Sequence, residues 1–215
     1  MITWYLARGS GLAALVLLSV ATGLGAVTSR RGSTGRRAVV DAAGRRYLVQ
    51  YLHRATAGLG LVTLALHLVA ILSDSYAGVG WQGALVPFTS GYRPGWVALG
   101  SIAAYLFVGV AVLGLARGRM AAGPGGARVW RGLHSLAYAG WLAALWHGFV
   151  TGSDSEVGWV RLLYVGCLVA VLGCVAARVA QPRRRDAAGR FAAAPRATTP
   201  LSPVSTVPSP RGALR

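Results

Sequence analysis

The chain has 215 residues, 54% of them hydrophobic, and a mean hydropathy of +0.53. Only 13% are charged, against roughly 25% in a soluble domain, which argues against a water-soluble globular fold. The net charge of +17 would suit nucleic acid, but all 22 basic residues are arginines set mostly in short segments between apolar blocks. That arrangement fits a membrane protein and excludes a nucleic-acid partner.

Five apolar blocks follow in order: Trp4–Val27, Val49–Leu72, Trp96–Leu115, Leu133–Val150 and Trp159–Ala177. Each has about the length a helix needs to cross ~30 Å of hydrocarbon. The expected fold is therefore all-α, a bundle of about five transmembrane helices in a multi-pass protein of the cell membrane. The first block has one Arg near its start, Arg8, and no Lys, a poor beginning for a cleaved signal peptide, and is read as a retained helix.

Seven arginines lie from the end of block 1 to the start of block 2 (Arg54 just inside it), four between blocks 3 and 4, and eight from Arg178 onward. The other side carries Arg8, Arg93 and Arg161. Short arginine-rich loops stay cytoplasmic, so the N-terminus is expected outside and the C-terminus inside. Attraction to anionic lipid heads explains the same loops, and the lipid bilayer is the first partner.

Between blocks 2 and 3, residues 73–95 carry Trp81, Leu85, Val86 and Phe88, which suit a short amphipathic piece at the interface. Residues 1–180 form the expected bundle. Residues 181–215, rich in Pro, Ser, Thr and Arg, are expected to be a disordered cytoplasmic tail. Cys167 and Cys174 are seven apart on one helix, about 10.5 Å along its axis, too far to bridge. No phosphate-binding glycine motif is present.

The chain has four histidines, all in two blocks: His53 and His67 in the second, His134 and His147 in the fourth. Both helices run the same way, so His53 and His134 lie near the cytoplasmic end, and His67 and His147 about 20 Å further out. Ionisable groups in a span are costly and mark function. Zinc would want four ligands, with only two imidazoles at each depth. A proton relay would want carboxylates, and the spans have none. A haem iron takes one axial ligand on each face, so two stacked b haems are the expected cofactors. Arg54 and Arg131 flank the inner pair and could meet haem carboxylates. The spacing of thirteen in the fourth block leaves His147 about 140° from His134 on an ideal helix. A kink near Gly140, or haems rotated about the bundle axis, would absorb the offset.

Three segments, "YLHRATAGLGLVTLALH", "DSYAGVGWQGALVPFTSGYRPGW" and "VWRGLHSLAYAGWLAALWHGFVTGSDS", together resemble the ferric reductase-like transmembrane domain over about residues 47–155. That family includes NADPH oxidases, ferric-chelate reductases and the bacterial haem subunit MsrQ. The resemblance implies that His53 and His134 hold an inner haem, and His67 and His147 an outer one. Members commonly have six helices, and the oxidases append a FAD- and NADPH-binding region that this chain lacks. The expected activity is that of a haem-containing oxidoreductase subunit, passing single electrons from a cytoplasmic-side donor to an outer-side acceptor. A separate flavin or NAD(P)H reductase, or a quinol, would be the donor. Asp74, Tyr76, Trp81, Phe88, Tyr92 and Arg93 would shape the exit. Two other functions compete: a membrane anchor or regulatory subunit without haem, and a quinol-oxidising cytochrome b-like subunit, although the Pro-Glu-Trp-Tyr motif of the latter is missing.

Overall fold

A computed structural model describes residues 2–28, 36–74, 78–152, 154 and 156–192, with residues 28, 36–42 and 181–192 described by backbone alone. The described residues are all-helical, without strands. They comprise α1 (Ile2–Thr28), α2 (Arg36–Leu72), α3 (Gly80–Leu85), α4 (Pro94–Leu115), α5 (Arg117–Met120), α6 (Gly126–His134), α7 (Leu136–Thr151) and α8 (Gly158–Ala192).

Four helices are long and apolar enough to cross a membrane: α1, α2 over Ala43–Leu72, α4, and α8 over Gly158–Ala180. The expected fourth span, Leu133–Val150, is corrected. It is divided at Ser135 into α6 and α7. The Ser135 N–H is shared between the Arg131 and Gly132 carbonyls, and the Tyr138 N–H donates to the Ser135 carbonyl, a tightened i→i+3 pattern. The Ser135 hydroxyl, 2.6 Å from the Gly132 carbonyl, competes further for the helix's own acceptors. What remains, α7, has 16 residues and measures roughly 24 Å.

Chain reversals bring the ends together in two groups. At one end Thr3 donates to Asp74 (3.2 Å), Arg8 pairs with Asp154 (2.5 Å) and Arg93 donates to the Val150 carbonyl (2.7 Å). At the other end, among the described residues, stand Arg54, Arg117, Arg119, Arg128 and Arg131. We refer to these as the Asp end and the Arg end. The expected interfacial piece forms as α3, at the Asp end, with Trp81 and Phe88 exposed. It docks on α4 through Ser101, whose hydroxyl donates to the Ala84 carbonyl (2.8 Å), and through Tyr105, whose hydroxyl donates to that of Leu85. Gly83 has no room for a side chain there, because a Cβ would sit 2.6 Å from Ser90 Cα.

Two antiparallel pairs make the bundle, α1 with α2 and α4 with α7, and α1 meets α7 between them. The main core lies at mid-height: Leu15, Leu18, Ala103, Phe107, Trp141 and Leu145, closed by Val160, Tyr164 and Val171 of α8. Within it the Trp141 indole donates to the Ser19 hydroxyl at 2.8 Å, both side chains being buried. Much of α2 and α8 instead faces outward, as apolar helices bordering lipid do.

Residues 1–179 form one compact unit and residues 180–215 a second. In the second, the backbone is helical to Ala192, past the expected start of a disordered tail at 181. Its Arg and Ala residues are good helix formers. Residues 193–215, the rest of the expected tail, lie outside the described residues.

Ser19→Ala should leave the Trp141 indole without its acceptor in an apolar core, lowering stability by about 1 kcal/mol. Thermal unfolding in detergent checks this. Trp141→Phe in the Ser19→Ala background should then cost less than Trp141→Phe alone.

Candidate functional site

An imidazole between membrane helices has two ring nitrogens to satisfy and no water to satisfy them. Three of the four histidines solve this identically. His53 Nδ1 lies 2.8 Å from the Ala21 carbonyl, His67 Nδ1 2.7 Å from that of Ala7, and His147 Nδ1 2.8 Å from that of Trp96. Each bond joins one helix of an antiparallel pair to the other: α2 to α1 twice, and α7 to α4 once. With Nδ1 donating to a carbonyl, the tautomer is set and Nε2 keeps its lone pair.

Such an approach needs a gap in the opposing helix, and a glycine makes it each time. Four residues beyond each carbonyl stand Gly25, Gly11 and Gly100. A Cβ there would lie 3.3 Å from His53 Cε1, 3.0 Å from His67 Nδ1 and 2.7 Å from His147 Cε1. The geometry follows from the helix itself, since residue i+4 sits directly over the carbonyl of residue i. Gly114 occupies the matching place for His134, with a looser contact of 3.8 Å. Its Nδ1 is buried yet makes no hydrogen bond of proper geometry, although the Val110 carbonyl is the backbone group acting on it.

His134 is held differently. The Trp130 ring stacks on it, centroids 4.8 Å apart and planes 18° apart, and the Trp130 indole is anchored to the Leu113 carbonyl at 2.8 Å. Arg117 caps the stack, with its guanidinium carbon 5.2 Å from the indole centre.

The predicted pairs are brought together. Toward the Arg end, the His53 and His134 rings lie 6.3 Å apart between centroids, inclined at 67°. Toward the Asp end, His67 and His147 line one cavity of about 750 Å³, within the size range of small-molecule and cofactor sites. Its wall includes Trp141, Tyr164, Arg8 and Asp154. Arg8 also lies over the Trp4 ring, 4.4 Å from its centre.

Arg54 and Arg131, expected beside the inner pair, are both exposed at the Arg end. Of the residues expected at the outer exit, Asp74 and Tyr92 line the cavity, while Trp81 and Phe88 point outward. Tyr76 lies outside the described residues. Sequence reasoning missed the glycine seats, the Arg117–Trp130–His134 stack and the Arg8–Asp154 pair. The seats had a signal: Gly11 and Gly25 are fourteen apart, as are Gly100 and Gly114, the same interval as His53 and His67.

Among the described residues no three His, Cys, Asp or Glu side chains converge as a metal-ion cluster. Comparison with family models, with curated proteins and with solved structures finds no match to this chain.

The seats can be tested without reference to any ligand. Gly11→Ala and Gly100→Ala should each force an imidazole off its carbonyl and cost about 1–3 kcal/mol. Gly58→Ala meets nothing within 4 Å and should be neutral or slightly stabilising. Thermal unfolding of the three variants side by side reads the difference.

Proposed function

We propose that the chain is a membrane electron-transfer subunit that binds two b haems, one between His53 and His134 and one between His67 and His147. The observation that carries this reading is the separation of the inner rings. An imidazole–metal bond is about 2.0–2.1 Å, and the ring centre lies about 1.1 Å behind the nitrogen, so two axial imidazoles on one iron stand roughly 6.3 Å apart. His53 and His134 have that separation.

The carbonyl anchors support the same assignment. Histidines that bind metals almost always donate their other N–H to a carbonyl, carboxylate or water, which orients the ring and raises its basicity. Here the two anchors on α1, Ala7 and Ala21, stand about 21 Å apart along its axis for an interval of fourteen residues.

The remaining groups have roles toward such a cofactor. Arg54 is the proposed partner of a carboxylate substituent at the Arg end, and Arg8 on the cavity wall at the Asp end. Held by one histidine pair each, the two groups would supply one-electron carriers. Small residues and the Trp141 core keep water from the space between the two levels. The three arginine-rich stretches support an orientation with the Arg end cytoplasmic.

A separate flavin or NAD(P)H reductase, or a quinol, is the proposed donor at the Arg end, and the acceptor meets the protein at the Asp end. This reading places the chain with the ferric reductase-like transmembrane proteins that its histidine spacing resembles. The enzymatic character would then belong to the complex with its reductase.

Pyridine haemochrome analysis should count two b haems per purified chain, with α and Soret bands in reduced-minus-oxidised spectra. His67→Ala and His147→Ala should each leave one haem, and the His53→Ala, His67→Ala double variant none. A wild-type protein without b-type bands would overturn the proposal and favour a haem-free anchor.

A further inference from the structure

The helix α6 connects the end of α4 to α7 and has a sharply divided surface. On a helical wheel, Arg128 and Arg131 fall about 60° apart, while Val129, Trp130, Leu133 and His134 cover the opposite arc. The Trp130 indole is tied to the Leu113 carbonyl near the end of α4, which sets the height of α6 at the boundary of a membrane-length helix. Val129 and Leu133 remain 58% and 39% exposed, an apolar flank that the bundle does not cover.

The neighbouring charge is all of one sign. Arg119, Arg128 and Arg131 are exposed, and no Asp or Glu occurs between Asp74 and Asp154. Arg117, the fourth cation, is turned onto the Trp130 ring. A short helix with arginines on one face and Trp, Val and Leu on the other has the surface of a segment that meets lipid headgroups.

We propose that α5–α6 is a binding site for an anionic phospholipid: Arg119, Arg128 and Arg131 hold the phosphate-bearing headgroup, and Val129 and Leu133 meet its acyl chains. Charge complementarity selects the occupant, and the exposed apolar flank selects a lipid over a free anion. The site touches the inner histidine through one contact, because Trp130 stacks on His134 while its helix carries the arginines. Lipid binding therefore steadies the Trp130–His134 stack.

Hydrogen exchange of the full chain in nanodiscs tests this, and it reads backbone protection irrespective of haem content. Replacing part of the phosphatidylcholine with phosphatidylglycerol should slow exchange over residues 117–135 about tenfold. The R119Q/R128Q/R131Q variant should lose that response, with α1 and α4 protected as in the wild type to show that it is folded. The R119K/R128K/R131K variant should keep it, since a surface potential needs charge and not a guanidinium fork. Equal protection in pure phosphatidylcholine, or an undiminished response in the glutamine variant, would overturn the site. Protection by inorganic phosphate alone would assign it to a free anion, and protection only on adding an acidic soluble protein would assign it to a protein partner. Either result would also overturn the lipid.

Discussion

The arrangement rests on one constraint: an imidazole placed between apolar helices must have its Nδ1 proton accepted by something. Water cannot do it, and the spans offer no carboxylate. A helix carbonyl can, because its second lone pair is free even when its own i→i+4 bond is made. Reaching that lone pair means entering the backbone surface over residue i+4, where any side chain would block the ring. Glycine at that position is thus a consequence of where the acceptor lies. Gly11 with Ala7, Gly25 with Ala21 and Gly100 with Trp96 are three instances of one local solution.

That solution also fixes how the helices pair. Each bond crosses from one helix to its antiparallel neighbour, so two bonds on α2 set both the register and the facing side of α1 along most of its length. The mid-height core then has little freedom left: Leu15 and Leu18 of α1 must meet Trp141 and Leu145 of α7. The Ser19–Trp141 bond sits between the two histidine levels. Packing and polar satisfaction agree at every height, as expected of a sequence that specifies one structure.

Much of this was legible beforehand. Apolar blocks located four helices long enough to cross a membrane, and the histidines fell in two pairs at matched depths. The glycine seats were legible in principle, but an isolated glycine in a membrane helix usually means close helix packing. Only the shared interval of fourteen separates these from the rest, and it carries meaning only once each is matched to a histidine. The break at Ser135 was not legible. Periodicity ran through it without interruption, because Leu133 and Leu136 keep the apolar pattern on either side. The suggested kink at Gly140 was misplaced: that glycine lies inside α7, where a Cβ would come within 3.0 Å of Leu106. It serves close packing against α4.

The break and the unusual surroundings of His134 have a common origin. Carbonyls on α1 and α4 present acceptors fourteen residues apart, and His53 and His67 match that interval. His134 and His147 are thirteen apart, so one continuous helix cannot turn both rings toward α4. The tightened turn at Ser135 falls between them; His134 stands 6.3 Å from His53 between ring centres, and its buried Nδ1 makes no well-formed hydrogen bond although the Val110 carbonyl acts on it. Trp130 supplies in stacking what the carbonyl does not, and Arg117 and the Leu113 carbonyl hold Trp130 in place. Of the four histidines, His134 is therefore the one positioned by side chains, whereas His53, His67 and His147 are each held by a backbone carbonyl.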